Sequence, residues 1–289
     1  MKKLAIGTVQ FGLNYGIANS GGQVSIPEIK KILALAEKQN INVLDTAKGY
    51  GNSESNLGEA DISKFKIITK LPAIPSPNID VDQWVEYQIN DSLERLRVKN
   101  LYGVLFHVPS QLLSVNGNKL YKALEKMREE GIIKKIGVSV YSPDELSSLF
   151  NQFDFEIVQA PFNVVDRRLL QSGWLDKLAL LGKEIHVRSV FLQGLLLMDP
   201  KNRSLYFDKW KDLFFGFDQW LKESSLSPLE ACLNYVNGFD QVTQMIVGVD
   251  SFSNFKEIIS SLSNPFIVNA PKTLECNDLD LVNPSNWLK

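Results

Sequence analysis

Short apolar runs alternate with longer amphipathic ones from one end of the chain to the other. Eight of the short runs read as strands: Leu4 to Thr8, Val43 to Thr46, Lys66 to Lys70, Tyr102 to His107, Lys135 to Val140, Ile157 to Ala160, Glu184 to Val190 and Gln244 to Val249. Between them, apolar residues recur every three to four positions over Ile26 to Gln39, Gln83 to Arg97, Lys119 to Glu130 and Pro228 to Val236, which predicts helices. In the first, Ile32, Leu33, Leu35 and Ala36 form one face while lysines and glutamates take the other. Ser25 and Glu28, Ser142 and Glu145, and Ser227 and Glu230 have the spacing of a capping box, each with a proline in the first turn.

Strands alternating with helices imply right-handed crossovers and a parallel sheet, and eight such units close into a (β/α)8 TIM barrel. A chain of 289 residues suits that fold, which needs about 250. An open doubly wound sheet is the competitor, but no Gly-x-Gly-x-x-Gly follows any strand. No repeat, low-complexity tract or Pro/Ser-rich linker divides the chain, so residues 1–289 are expected to form one domain. The least regular stretches are Gln10 to Gln23, Pro109 to Asn118, Gln193 to Phe217 and the tail from Pro265. Loops that follow strands share the C-terminal face of a barrel, where its active sites lie. No hairpin precedes the first strand, which leaves open what closes the barrel floor.

Charge and composition narrow the function classes. A formal net charge of -2, from 31 basic and 33 acidic residues without long runs of either sign, argues against nucleic acid or an anionic membrane as partner. No window approaches about 18 consecutive apolar residues, and the start Met1-Lys2-Lys3-Leu4 opens too short an apolar stretch for a signal peptide. Cys232 and Cys276 cannot form a disulfide framework, so a reducing cytoplasm is expected. With only His107 and His186, a histidine-rich metal site is not expected. Oligomeric state is not legible.

Asp45, Tyr50, Lys70 and His107 each stand at or just past the end of a predicted strand. A tyrosine ionises near pKa ~10 and is a reluctant acid at neutral pH. A lysine beside it stabilises the phenolate, and an aspartate holds that lysine charged. Tyr50 is therefore the candidate general acid, with His107 donating a hydrogen bond to a carbonyl oxygen. The set suits a carbonyl carbon receiving a hydride, which must come from a cofactor because no side chain supplies one.

The segment Asp45-Thr46-Ala47-Lys48-Gly49-Tyr50-Gly51, followed by Thr69-Lys70 and His107-Val108-Pro109, resembles the aldo-keto reductases, with the match running from Leu4 to about Leu262. The resemblance implies a catalytic tetrad of Asp45, Tyr50, Lys70 and His107 and a nicotinamide cofactor extended across the barrel mouth. It places Gly7 and Thr8 beneath the nicotinamide, with Asp45 nearby, and Ser139 and Gln159 at its carboxamide. Arg188 stands where the family usually has a stacking aromatic. Ser189, Phe191, Gln193, Gly194 and Leu195 resemble the pyrophosphate loop, and Gly248, Asp250, Ser251, Asn254 and Glu257 the adenosine loop.

Several positions depart from that pattern. Val140 and Ile258 replace usual asparagines, which puts two cofactor hydrogen bonds in doubt. NAD(P)H is the implied cofactor, with NADPH the family default. Gly248 to Phe255 nevertheless holds no lysine or arginine, and Asp250 would repel a 2'-phosphate while accepting from ribose hydroxyls, which makes NADH plausible. The expected function is reduction of a small aldehyde or ketone, possibly sugar-like. The alternatives are a redox-neutral epimerase or dehydratase with transient hydride transfer, and a non-catalytic nucleotide-sensing subunit. Most of the five tryptophans are expected to pack, while Trp210, Phe214 and Phe215 are candidates to overhang the pocket. Arg167 and Arg168 read as a solvated helix start.

Overall fold

A computed structural model describes residues 3–287; Met1-Lys2, part of the start read above, and the last two residues lie outside that range. Eight parallel strands close in chain order: β1 (Leu4–Gly7), β2 (Val43–Asp45), β3 (Lys66–Leu71), β4 (Leu101–Phe106), β5 (Ile133–Ser139), β6 (Ile157–Pro161), β7 (Glu184–Arg188) and β8 (Gln244–Gly248), with β8 pairing back onto β1. Thr8, Thr46, His107 and Val140 fall just past these strands, yet each still donates its N–H to the neighbouring strand or its edge. They therefore remain fixed to the barrel rim.

The twofold alternation of strand side chains sorts the interior into layers. Ala5, Val43, Ile68, Leu105, Ile157 and Ile246 form a cluster of their own, separate from the larger core between sheet and helices. Two residues further along the same six strands or their ends stand Gly7, Asp45, Lys70, His107, Gln159 and Gly248. The apolar layer thus carries the polar one toward the C-terminal face.

Tyr102 packs against the same apolar cluster, and its hydroxyl donates to Glu184 at the start of β7. Lys135 also donates to Glu184, as does His186 Nε2 at 3.1 Å. These groups come from strand N-terminal halves, so a ring and a polar cluster occupy the floor. Burial opposes ionisation of Glu184, but hydrogen bonds from His186, Lys135 and Tyr102 prevail and hold its pKa at about 2. A carboxyl depressed below its unfolded value adds stability above that value, near 4.5, and loses it as pH falls through the folded one. Glu184→Gln is expected to cost about 1–2 kcal/mol at pH 7 after allowance for solvent screening. Urea titrations from pH 7 to 2.5 should show the gap to wild type narrowing below about pH 4.5; a gap independent of pH would refute this.

Helices occupy the predicted regions at Ile26–Lys38, Val81–Leu96, Gly117–Glu129 and Pro228–Asn237. Asp80, which the sequence pattern had not indicated, starts the second two residues early by accepting from Gln83 N. Only Ser227 and Glu230 form the full expected box. Glu145 accepts from Tyr141 N and Ser142 N, but Ser142 Oγ bonds Asp144 instead of completing the box. Glu28 turns away from Ser25 and accepts from Phe252 N at 2.8 Å, satisfying an orphan donor of Phe252–Ser261.

The expected overhang of Trp210 and Phe214 is not what forms. Trp210, Phe207, Phe214 and Trp287 make a chain of aromatic contacts, and Trp210 Nε1 donates to Asp278, so these residues fasten the C-terminal segment. Phe215 on the adjoining helix Lys211–Glu223 is exposed. Arg167 is buried rather than solvated: it donates to Val164 O and Pro271 O and pairs with Glu275, pinning the same segment. Arg168 pairs with the fully buried Asp166. No helix among the described residues is long and apolar enough to cross a membrane.

Candidate active site

The four residues read from strand ends converge at one mouth of the barrel. Lys70 Nζ, only 1% exposed, donates to Asp45 Oδ1 at 2.6 Å, to Thr46 O at 2.9 Å and to Tyr50 Oη at 3.3 Å. The His107 ring meets the Tyr50 ring edge-on, with centroids 6.0 Å apart. Tyr50 and His107 are half-buried, whereas Asp45 and Lys70 are closed off behind them. A charged pair therefore lies inside, with a hydroxyl and an imidazole facing outward.

Local sequence explains the placement. Tyr50 lies in a turn between β2 and the short helix Ser53–Gly58, and Gly12 approaches that turn so closely that a Cβ there would lie 1.9 Å from Tyr50 O. Only glycine fits this approach. Ser53 Oγ donates to Thr8 O, while Thr8 Oγ1 donates to Asp45 O, tying the ends of β1 and β2 together. The Thr8 hydroxyl is thereby committed within the protein.

Burial works against the Lys70 ammonium, but Asp45 and Tyr50 outweigh it and raise its pKa. Lysine thus stays charged next to the tyrosine. Burial lowers His107 to about 4, and Lys70 and Arg188 push the same way. The imidazole is neutral at pH 7, with one ring nitrogen bearing a hydrogen to donate.

Gln159 has a connection that the sequence reading did not include. Its Nε2 donates to Asp45 Oδ2 at 2.7 Å, and its Oε1 accepts from Ser139 Oγ at 3.1 Å, all three side chains being buried. Ser139 and Gln159 therefore adjoin the charged pair. Arg188 donates from Nη2 to Val140 O at 3.1 Å, and its guanidinium lies 4.7 Å from the centroid of Tyr141. Beyond it Ser189, Leu192, Gln193 and Gly194 all have positive φ, a cluster in the left-handed region that three non-glycine residues adopt only under outside constraint. Asn163 Nδ2 holds Ser189 O, and Ile17 N holds Gln193 O. Asn163 and Tyr15, which accepts from Gln193 Nε2, were missed by the sequence reading; only Tyr15, in an irregular loop after β1, carried a positional hint.

At the end of β8, the strand beside β7, Gln10 is buried against Gly248, where a Cβ would stand 2.4 Å from Gln10 Nε2. Gln10 Oε1 has no hydrogen-bond partner. Ser251 caps its helix by accepting from Asn254 N, and Glu257 is exposed. Leu195, Val140 and Ile258 are buried in the apolar core. The last two thus replace side-chain hydrogen bonds with packing. The orphaned buried acceptor of Gln10, just after β1, and the paired polar groups of Ser139 and Gln159, at the ends of β5 and β6, are groups that a nicotinamide dinucleotide can use.

The model of the aldo/keto reductase family matches residues 3–269, and the chain belongs to that family. It is 26% identical over 224 residues to the oxidoreductase sirO of Leptosphaeria maculans, covering 70% of this chain and 66% of that protein. It is 28% identical over 180 residues to the D-threo-aldose 1-dehydrogenase of a Pseudomonas species, covering 50% and 55%. The chain thus spans somewhat less than two thirds of the first relative and about half of the second. Its fold is similar to that of the aldo-keto reductase AKR11C1 from Bacillus halodurans in its holo form, with a TM-score of 0.74 and 19% identity over 94% of this chain and 90% of that one.

Proposed function

We propose that the protein is a cytoplasmic carbonyl reductase, one barrel domain over residues 1–289, that uses NADH to reduce a small aldehyde or ketone. The observation that carries this reading is Lys70 Nζ shared between Asp45 at 2.6 Å and Tyr50 Oη at 3.3 Å, in the mouth of a barrel belonging to a reductase family. The dinucleotide supplies the hydride when bound. His107 donates a hydrogen bond to the substrate oxygen and fixes its direction. Tyr50 Oη gives its proton to that oxygen, and the Lys70 ammonium meets the negative charge left behind. Asp45, held by Gln159, keeps Lys70 in place. The name of one relative, a sugar dehydrogenase, supports a polar, sugar-like substrate.

Two carboxylates favour NADH. Asp250 stands at the rim, and Glu28 occupies the first N–H of the helix that follows it. Lys31 pairs with Glu28, and Lys256 lies over Phe252. A ribose hydroxyl finds acceptors here, whereas a 2'-phosphate meets like charge. NADH is expected to bind at least about tenfold tighter than NADPH, or about 1.4 kcal/mol. Fluorescence titration with both nucleotides tests this, and a preference for NADPH would overturn it.

Turnover with a carbonyl panel tests the reaction. Stoichiometric loss of reduced-nicotinamide absorbance is expected. Isomerised product without that loss would replace this reading with a redox-neutral one.

A further inference from the structure

The mouth contains one cation that the proton-delivery chemistry does not use. Lys70 is balanced by Asp45, and both are buried. Arg188, half-buried at the C-terminal end of β7, has no carboxylate within 4.0 Å among the described residues. Its guanidinium is held by Val140 O at 3.1 Å, by Ser189 Oγ at 3.3 Å and by the face of Tyr141. Two of its five N–H donors are thus engaged, and the planar fork retains hydrogens suited to two parallel bonds with an oxyanion. Tyr15, Tyr141 and Gln193, which surround it, bring no negative charge.

The position of this charge matters because it is not remote from the reacting groups. Arg188 contributes to lowering His107, and Tyr15 lies within electrostatic reach of both Arg188 and Tyr50. Lys70, Asp45 and Arg188 together give a net charge of about +1 around a hydroxyl and a neutral imidazole, and exposed apolar and aromatic groups such as Leu13, Ile17, Val108 and Tyr141 lie in the loops beyond the strand ends. Solvent alone satisfies such a guanidinium poorly once a ligand closes the mouth, so a ligand bearing its own anion is favoured over a neutral one of the same shape.

We propose that Arg188 is a specificity-determining residue and that the carbonyl substrate carries a carboxylate, which the guanidinium binds while Tyr50 and His107 address the carbonyl oxygen. This rests on the reductase reading above and adds the substrate class to it. A phosphate of the dinucleotide is the competing source of the same charge. The two place different demands on experiment.

Two scaffolds, 4-formylbenzoate and 4-oxobutanoate, would each be compared with its methyl ester at fixed ionic strength in wild type, Arg188→Met and Arg188→Lys, alongside the Kd of NADH for all three proteins. Wild type is expected to favour each acid over its ester by at least about tenfold in kcat/KM, mainly through KM. Arg188→Met should bring the ratio to within about threefold of unity, and Arg188→Lys should recover part of it, each acid-to-ester ratio being taken at saturating NADH so that a change in NADH affinity does not enter it. A methionine variant that loses NADH affinity tenfold while keeping its acid-to-ester ratio would assign the arginine to the cofactor and overturn the proposal. So would a wild-type ratio near one on both scaffolds. If no aldehyde is turned over, binding of 4-(hydroxymethyl)benzoate and its methyl ester to the NADH complex decides: Arg188-dependent preference for the acid keeps the anion site while the reductase reading falls, and no preference removes both.

Discussion

Tyr50→Phe is expected to lower kcat for any carbonyl substrate by about 10²–10⁴-fold while leaving NADH affinity within about threefold of wild type. The substitution removes one oxygen and keeps the ring, so the edge contact with His107 and the cation–π contact with Lys70, 4.8 Å from the ring centroid, both persist. The loss is therefore chemical rather than architectural. A second signature separates a proton donor from a mere binding group: kcat and kcat/KM should fall together, because the bond to the departing proton is made in the transition state. Full turnover by this variant on a confirmed substrate would remove Tyr50 from the mechanism.

Lys70→Met should have the largest effect on folding. The ammonium is 1% exposed and satisfies Asp45, Thr46 O and Tyr50 together. Removing it leaves the Asp45 carboxylate buried with Gln159 as its remaining side-chain partner, and an uncompensated buried charge costs about 3–5 kcal/mol. Asp45→Asn in the same chain removes that charge and is expected to restore much of the stability, but none of the activity, because the cation beside Tyr50 is still missing. Denaturant midpoints and turnover of the single and double variants check both halves. Equal stability of Lys70→Met and the double variant would show that the unpaired Asp45 charge costs nothing, and would refute this account.

The barrel and the meeting of Asp45, Tyr50, Lys70 and His107 at its mouth were legible because both follow from short-range rules. Strand alternation puts Asp45, Lys70 and His107 two residues beyond Val43, Ile68 and Leu105 on the same inward face, so finding the apolar layer locates the polar one. Contacts that join distant segments had no such signal. Glu28 has capping-box spacing, yet Phe252, 224 residues away, takes its carboxylate. Arg167 looks like a surface residue until the C-terminal segment folds back over it. The Tyr102, Lys135, Glu184 and His186 floor draws on three strands, and no local pattern joins them. Gln159 could be placed at a strand end from sequence, but its hold on Asp45 spans 114 residues and depends on closure of the barrel.

That hold has a consequence for ligand affinity. The Gln159 amide spans two customers: Asp45 on its nitrogen side and Ser139 on its oxygen side. A ligand that draws on either end alters how firmly Asp45 is restrained, and so how strongly Lys70 is committed to Asp45 rather than to Tyr50. Linkage requires the converse to the same extent: the charge state of Lys70 must feed back on the affinity of whatever binds at Ser139 and Gln159. Nucleotide affinity of this protein should accordingly depend on Lys70 only in the alkaline range, where the ammonium, its pKa raised against burial by Asp45 and Tyr50, begins to lose its proton.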